Sequence, residues 1–191
     1  MEHIFKSTVN TRPVFENSLR YIRSEVPTAV TEDEKEWMIQ NNILTIVDLR
    51  SAPERESRKC PLAEDDRFSY HCFPLTNGNI IPHTPDDVSK SYISMADGLF
   101  DELIAFLQSA KTNVLYFCAA GKDRTGITSA VLLLKAGVER GYIIDNYVQS
   151  KDTLKELLIA FANANPGVDL NVITPQSRYI EEFLDWYIAN K

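Results

Sequence analysis

Cys118 and Arg124 lie six positions apart in the run Cys118-Ala119-Ala120-Gly121-Lys122-Asp123-Arg124-Thr125-Gly126. A short apolar stretch, Val114 to Phe117, precedes the run, and a longer one beginning at Thr128 follows it. That order reads as strand, tight loop and buried helix. In such a unit the loop N–H groups and the helix N-terminus converge on one point suited to an anion. A cysteine at the first position of the cradle is favoured as thiolate by the same donors. An ordinary thiol, with a pKa near 8.5, is only about 3% ionised at pH 7. Arg124 adds a planar fork that holds two phosphate oxygens at once and stabilises equatorial charge in an in-line phosphoryl transfer, a role lysine does not fill equally. The chemistry these residue types would perform is attack of sulfur on phosphorus, followed by hydrolysis of a phosphocysteine. In the second step the Thr125 hydroxyl is placed to donate to the departing sulfur. Gly121 and Gly126 let backbone pass close to ligand and to a neighbouring strand.

The elements that position this loop follow from hydrophobic periodicity. Leu19 to Ser24 is short and partly alternating, and Thr31-Glu-Asp-Glu34 has the capping-box form, so a helix starts near Glu32 and ends at Asn41-Asn42. Ile43 to Leu49 has the β-branched apolar character of a buried strand. Ser51 to Asp66 reads as a charged loop and Phe68 to Leu75 as another strand. Thr84-Pro85 resembles a helix start, and an apolar stripe from Val88 to Leu107 continues at helical spacing with a bend near Gly98. Further helices are expected from Glu139 to Gln149, Asp152 to Ala164 and Pro175 to Ala189. Strands alternating with helices predict an α/β fold: one domain over residues 1–191, with a mainly parallel central sheet flanked by helices.

Composition narrows the partners. The chain has 191 residues, 44% hydrophobic and 25% charged, the balance of a globular protein. Its formal charge of −7 argues against a broad nucleic-acid surface or an anionic lipid surface, which are held mainly by Lys and Arg. Anion binding must be local. An acid at position 2 and the lack of an apolar run near the start argue against a secretory signal, and the apolar stretches are too short for membrane insertion, so a cytoplasmic location is expected. Cys60, Cys72 and Cys118 have no metal-type spacing, which points to reduced thiols and calls for no metal or cofactor.

The run from Cys118 to Gly126 resembles the signature of the protein tyrosine phosphatase superfamily. Its Gly-Lys-Asp-Arg-Thr-Gly form is similar to a bacterial group that includes the Listeria LipA and mycobacterial PtpB enzymes, some of which also accept phosphoinositides. Arg20-Tyr-Ile-Arg23-Ser24, Asp48-Leu-Arg50-Ser with Glu54 close behind, and Asn146-Tyr147 extend the resemblance over roughly residues 15 to 190. The resemblance implies that Cys118 is the nucleophile, that Arg124 binds phosphate and stabilises the transition state, and that the substrate is a phosphorylated protein or a phosphoinositide. It makes Asp123 the best candidate general acid, because a carboxyl inside the loop reaches the leaving-group oxygen. Asp86, Asp87 and Asp97 are weaker candidates. Ala119, Ala120, Gly121, Lys122, Thr125 and Gly126 line the phosphate, with Lys122 favouring highly phosphorylated substrates. One departure is Phe117, where the superfamily usually carries His; reduced activity is expected from it.

Other chemistries fare worse. Six residues beyond Cys60 and Cys72 stand Asp66 and Gly78, so neither cysteine has an anion fork. His71-Cys72 sits inside an expected strand and is followed by Phe-Pro. Gly121-Lys122 lacks the first glycine and the Ser/Thr of a nucleotide loop. The alternative readings are a phosphate-binding module weakened in catalysis, motivated by Phe117, and a rhodanese-like sulfur transfer, which the Arg124-Thr125-Gly126 continuation does not support. Asp48 and Arg50 are equally suited to a pocket role and to a salt bridge, and the aromatic cluster Phe183, Trp186 and Tyr187 to docking on the core.

Overall fold

In the computed structural model, which describes residues 4–191, five strands form one sheet in the order β1-β2-β5-β3-β4. The acid at position 2 lies outside the described residues. β1 (Arg12–Phe15) and β2 (Ser18–Glu25) make an antiparallel hairpin, turned through Asn17 at φ 56°. β2, β5 (Asn113–Cys118), β3 (Ile43–Asp48) and β4 (Ser69–Cys72) run parallel to one another. The expected mainly parallel sheet is therefore present. Sequence periodicity did not mark β1, which is four residues long and contains Pro13, a residue tolerated at a sheet edge.

Side chains alternate along β5, as a pleat demands. Val114, Tyr116 and Cys118 join the larger core cluster, and Leu115 and Phe117 join the smaller one on the opposite face. The smaller cluster lies under α1 (Glu32–Gln40), where Thr31 and Glu34 complete the expected capping box and Met38 is buried. The larger cluster is covered by α3 (Val88–Met95), α4 (Gly98–Ser109), α5 (Asp123–Lys135), α6 (Arg140–Val148) and α10 (Ser177–Asn190). Helix α10 buries Tyr179, Ile180, Phe183, Leu184 and Tyr187, one stripe at helical spacing. Each large apolar side chain so buried contributes about 1.5–3 kcal/mol.

Two segments differ from expectation. The long stripe after Thr84 is broken rather than bent: the chain leaves α3 at Ala96, and Asp97 caps α4 by accepting from the Phe100 N–H at 3.1 Å. The charged stretch from Ser51 to Asp66 is not a loop throughout but holds α2 (Ala52–Ser57) and a 3-10 turn (Pro61–Glu64). Ser51-Ala-Pro-Glu54 is itself a Ser-x-x-Glu start, and Glu54 Oε2 accepts from Ser51 N at 2.9 Å and Ser51 Oγ at 2.8 Å. After α7 (Ser150–Thr153), α8 (Lys155–Ala164) and α9 (Leu170–Ile173) bring Leu158, Phe161, Val172 and Ile173 to the end of the sheet where β5 delivers Cys118. Among the described residues no helix is long and apolar enough to cross a membrane.

Candidate active site

β5 ends at Cys118 and α5 begins at Asp123, so the four residues between them must turn sharply. Gly121 makes the turn at φ 66°, and a Cβ there would stand 2.5 Å from the Ser24 carbonyl and from Glu25 N. Only glycine satisfies both demands. The turn directs its carbonyls away from the cleft and into the body of the protein. Ala119 O accepts from Val26 N at 3.5 Å, Ala120 O from Asn10 Nδ2 at 3.0 Å, and Gly121 O from Asn10 Nδ2 at 3.1 Å and Arg23 Nη2 at 2.9 Å. Among the described residues, the N–H groups of Ala120, Gly121 and Lys122 donate to no protein acceptor. Free donors at the N-terminus of a thirteen-residue helix make an anion site.

A cleft of about 250 Å³ opens over this turn. Cys118, Ala119, Ala120, Lys122, Asp123 and Arg124 line it, whereas Gly121, Thr125 and Gly126 lie behind its floor. Gly126 allows close packing of Tyr147, whose ring would stand 2.9 Å from an added Cβ. Thr125 is fully buried and its hydroxyl has no partner among the described residues, so the expected bond to the Cys118 sulfur is not made in this state. The outer wall is apolar, with Ile80, Ile81 and Phe161 exposed around the opening.

Arg124 is 4% exposed and is gripped by Glu54 through two parallel bonds, Nη1 to Oε2 at 2.8 Å and Nη2 to Oε1 at 2.6 Å. A third bond, from Nη1 to Leu49 O at 3.3 Å, fixes the plane of the fork, and Gly78 leaves room for its stem. Burial pushes the Glu54 carboxyl up, but the hydrogen bonds and charge of Arg124 outweigh burial and hold it down at about 2, from an ordinary 4.5. The Arg124 guanidinium is penalised by burial, and the Glu54 bonds more than offset this and raise it. A depressed acid contributes stability that is present above pH 4.5 and is lost as the pH falls toward 2. Glu54→Gln is therefore expected to lower the urea midpoint at pH 7, with the difference from wild type vanishing as the pH falls through that window. A difference independent of pH would contradict the pairing.

Asp123 opens the first turn of α5, and its Oδ1 accepts from Tyr92 OH at 2.5 Å. Tyr92 OH in turn meets Tyr147 OH at 2.6 Å. Oδ2 stands 3.3 Å from Lys122 Nζ, and both residues line the cleft. Lys122 itself is buried and donates to Ile173 O, so its charge is shared between α9 and Asp123. The weaker acid candidates are engaged elsewhere: Asp97 caps α4, Asp87 pairs with Lys90, and Asp86 pairs with Arg178. None of the three lines the cleft.

Asp48 and Arg50 form a buried salt bridge at 2.6 Å, with Tyr70 OH donating to Asp48 Oδ2 at 2.5 Å. Arg50 Nη1 also donates to Arg58 O at 2.7 Å and Glu54 O at 3.4 Å, so the pair anchors the helix that carries Glu54. The Phe117 ring lies on the opposite face of the sheet from Cys118, with the Arg50 guanidinium 5.4 Å from its centroid. It supports α2 through Arg50. Cys60 is buried and its thiol is pushed up by burial to about 11, and exposed Cys72 lies outside the cleft.

Sequence reasoning missed Glu54 as the partner of Arg124, Asn10 and Arg23 as supports of the loop, and Tyr92 as the partner of Asp123. Only the first had a local signal, the Ser51-x-x-Glu54 start; the others come from positions 31 to 111 residues away along the chain.

Comparison with known proteins gives the family. A model of the tyrosine phosphatase family matches residues 12–190. A tyrosine-protein phosphatase of Nostoc commune is 28% identical over 145 residues, covering 71% of this chain and 49% of that protein. The triple specificity protein phosphatase PtpB of Mycobacterium tuberculosis is 39% identical over 54 residues, 28% of this chain and 20% of that protein. The chain spans about half the length of the Nostoc relative. With its strand, loop and helix in the order described and the family model matched over nearly its whole length, the chain belongs to the tyrosine phosphatase family.

Proposed function

We propose that this protein hydrolyses phosphate monoesters, with phosphotyrosine in proteins as the favoured substrate and phosphoinositides as a further class, and that it does so as one domain in the cytoplasm. The observation that carries the reading is the convergence of a cysteine, unpaired loop N–H groups and a doubly held guanidinium on one cleft. In this reading the Cys118 sulfur attacks phosphorus in line, and the P–O bond to the leaving group breaks. Arg124 and the loop N–H groups hold the three equatorial oxygens. Asp123 gives its proton to the leaving oxygen from Oδ2 and then takes one from the water that attacks the phosphocysteine, releasing phosphate and thiolate. Tyr92 steadies Oδ1 throughout. The apolar wall of Ile80, Ile81 and Phe161 favours an aryl leaving group over a compact polar one.

The test is a panel of phosphotyrosine, phosphoserine and phosphoinositide substrates, with Asp123→Asn beside wild type. Asp123→Asn is expected to lower kcat/KM, which reports formation of the phosphocysteine, about 10²- to 10⁴-fold on phenyl phosphate, whose phenoxide needs a proton, and far less on p-nitrophenyl phosphate. Equal loss on both would remove Asp123 as the acid. The second reading, a phosphate-binding module weakened in catalysis, is motivated by Phe117; tight phosphopeptide binding without phosphate release would favour it.

A further inference from the structure

Behind the loop, two guanidiniums are buried side by side. Arg23, on β2, is 0% exposed and Arg12, on β1, is 6% exposed, and neither makes an ion pair among the described residues. Their bonds go to neutral groups. Arg23 Nη1 donates to Asn146 Oδ1 at 2.8 Å and its Nη2 to Gly121 O at 2.9 Å. Arg12 Nη2 donates to Asn146 O and to Ser150 Oγ, both at 2.9 Å. The Nε atoms of both are buried without a partner. Burial penalises the charge of each, and for Arg12 the nearness of Arg23 adds to the penalty. A buried cation among neutral partners is costly, and the hydrogen bonds that offset the cost tie this pair to Asn10, Asn146, Ser150 and the loop carbonyl of Gly121.

Asn10 ties this pair to the loop. The side chain is 1% exposed, and Arg12 Nη1 donates to its Oδ1, as does Ser150 Oγ at 3.4 Å. With the oxygen so engaged, the amide is oriented with Nδ2 outward, and Nδ2 bonds to the carbonyls of Ala120 and Gly121. In a trans peptide the C=O of one residue and the N–H of the next point in opposite directions. Fixing the carbonyls of Ala120 and Gly121 therefore fixes the N–H groups of Gly121 and Lys122, the donors left free toward the anion.

We propose that Asn10 and Arg23, locked in place by Arg12 and Asn146, are positioning residues of the phosphate loop: they turn two carbonyls out of the cleft, aim two N–H donors into it and set a buried positive charge behind the bound phosphate. This compensates for Phe117, which offers no polar group to the loop from the position before Cys118. The inference rests on the reading that the loop binds phosphate. The nearby group with charge to contribute is Glu25, which accepts from the N–H groups of Val9 and Asn10; the buried phenols of Tyr116, Tyr92 and Tyr147 are pushed up by burial and stay neutral.

The decisive variant is Asn10→Asp, which keeps shape and gives Arg12 an anion, but sets a carboxylate oxygen against the loop carbonyls. Binding of inorganic phosphate is measured by titration calorimetry, beside the thermal midpoint and the pH profile of Cys118 alkylation by iodoacetamide. Phosphate binding is expected to weaken on the order of ten- to a hundredfold, and the alkylation profile to move to higher pH, with the thermal midpoint held or raised. A role in folding alone predicts the reverse: a lower midpoint with phosphate affinity within twofold of wild type and an unmoved profile, and that result overturns the proposal. If Asn10→Asp does not fold, Arg23→Lys is read by the same criteria, since it keeps the charge and cannot bridge Asn146 and Gly121 together. Wild type that binds no phosphate contradicts the functional reading instead, so the two failures are distinguishable.

Discussion

Cys118→Ser is expected to abolish turnover of p-nitrophenyl phosphate, with kcat falling on the order of 10⁴-fold or more while inorganic phosphate still binds. The serine hydroxyl has the shape of the thiol but does not ionise near neutral pH, so the loop that stabilises a thiolate has no nucleophile to stabilise. Phosphate affinity is carried by groups the substitution leaves alone: the N–H donors of Gly121 and Lys122 and the guanidinium of Arg124. Steady-state turnover and phosphate titration on one preparation separate the two effects. A variant that turned over at even a tenth of the wild-type rate would contradict a role for sulfur.

Arg124→Lys is expected to cost about 10³-fold in kcat/KM, most of it in kcat. Glu54 takes one N–H of each terminal nitrogen and Leu49 O the second N–H of Nη1, which leaves the side of the plane formed by Nε and Nη2 as the fork for a phosphoryl group. An ammonium keeps the charge but offers no fork, and it leaves one Glu54 oxygen without its donor. Because Arg124 is buried, part of the loss could arise from stability, and the kcat-to-KM division decides this: misfolding lowers active enzyme in proportion and leaves KM unchanged, whereas loss of the fork raises KM as well. A loss below tenfold would contradict the assigned role.

Those two residues were legible in the sequence because they belong to one short segment. Strand, loop and helix follow in direct succession, so the spacing of Cys118 and Arg124 already carries their relation in space. The sheet was legible for a similar reason, since β3 and β5 are continuous apolar runs buried on both faces. What the sequence did not show depends on distant pairing. Arg23 reads as one more charged residue on an alternating strand until β2 is laid parallel to β5, in the register Arg23 with Tyr116. Asn10 has no local pattern at all and acts only through its bonds to residues 110 and 111 positions away. Glu54 lay between these extremes. Its Ser-x-x-Glu start was present, but Pro53 and the surrounding charges gave no apolar periodicity, because α2 buries no residue and is held by Arg50 and Arg124 instead. Asp123 was named from its place inside the loop; that its Oδ1 is taken by Tyr92 could not be read, since Tyr92 lies 31 residues earlier on a different helix.

The central claim, a covalent phosphocysteine on Cys118, is tested most directly by denaturing wild-type protein in acid during the first turnovers of an aryl phosphate and mapping its peptides by mass spectrometry. The account predicts phosphate on the peptide containing Cys118, present in wild type, accumulating in Asp123→Asn on p-nitrophenyl phosphate as hydrolysis slows, and absent from Cys118→Ser. Sustained phosphate release with no phosphate on that peptide, or with the label on His71 or any other residue, would contradict it.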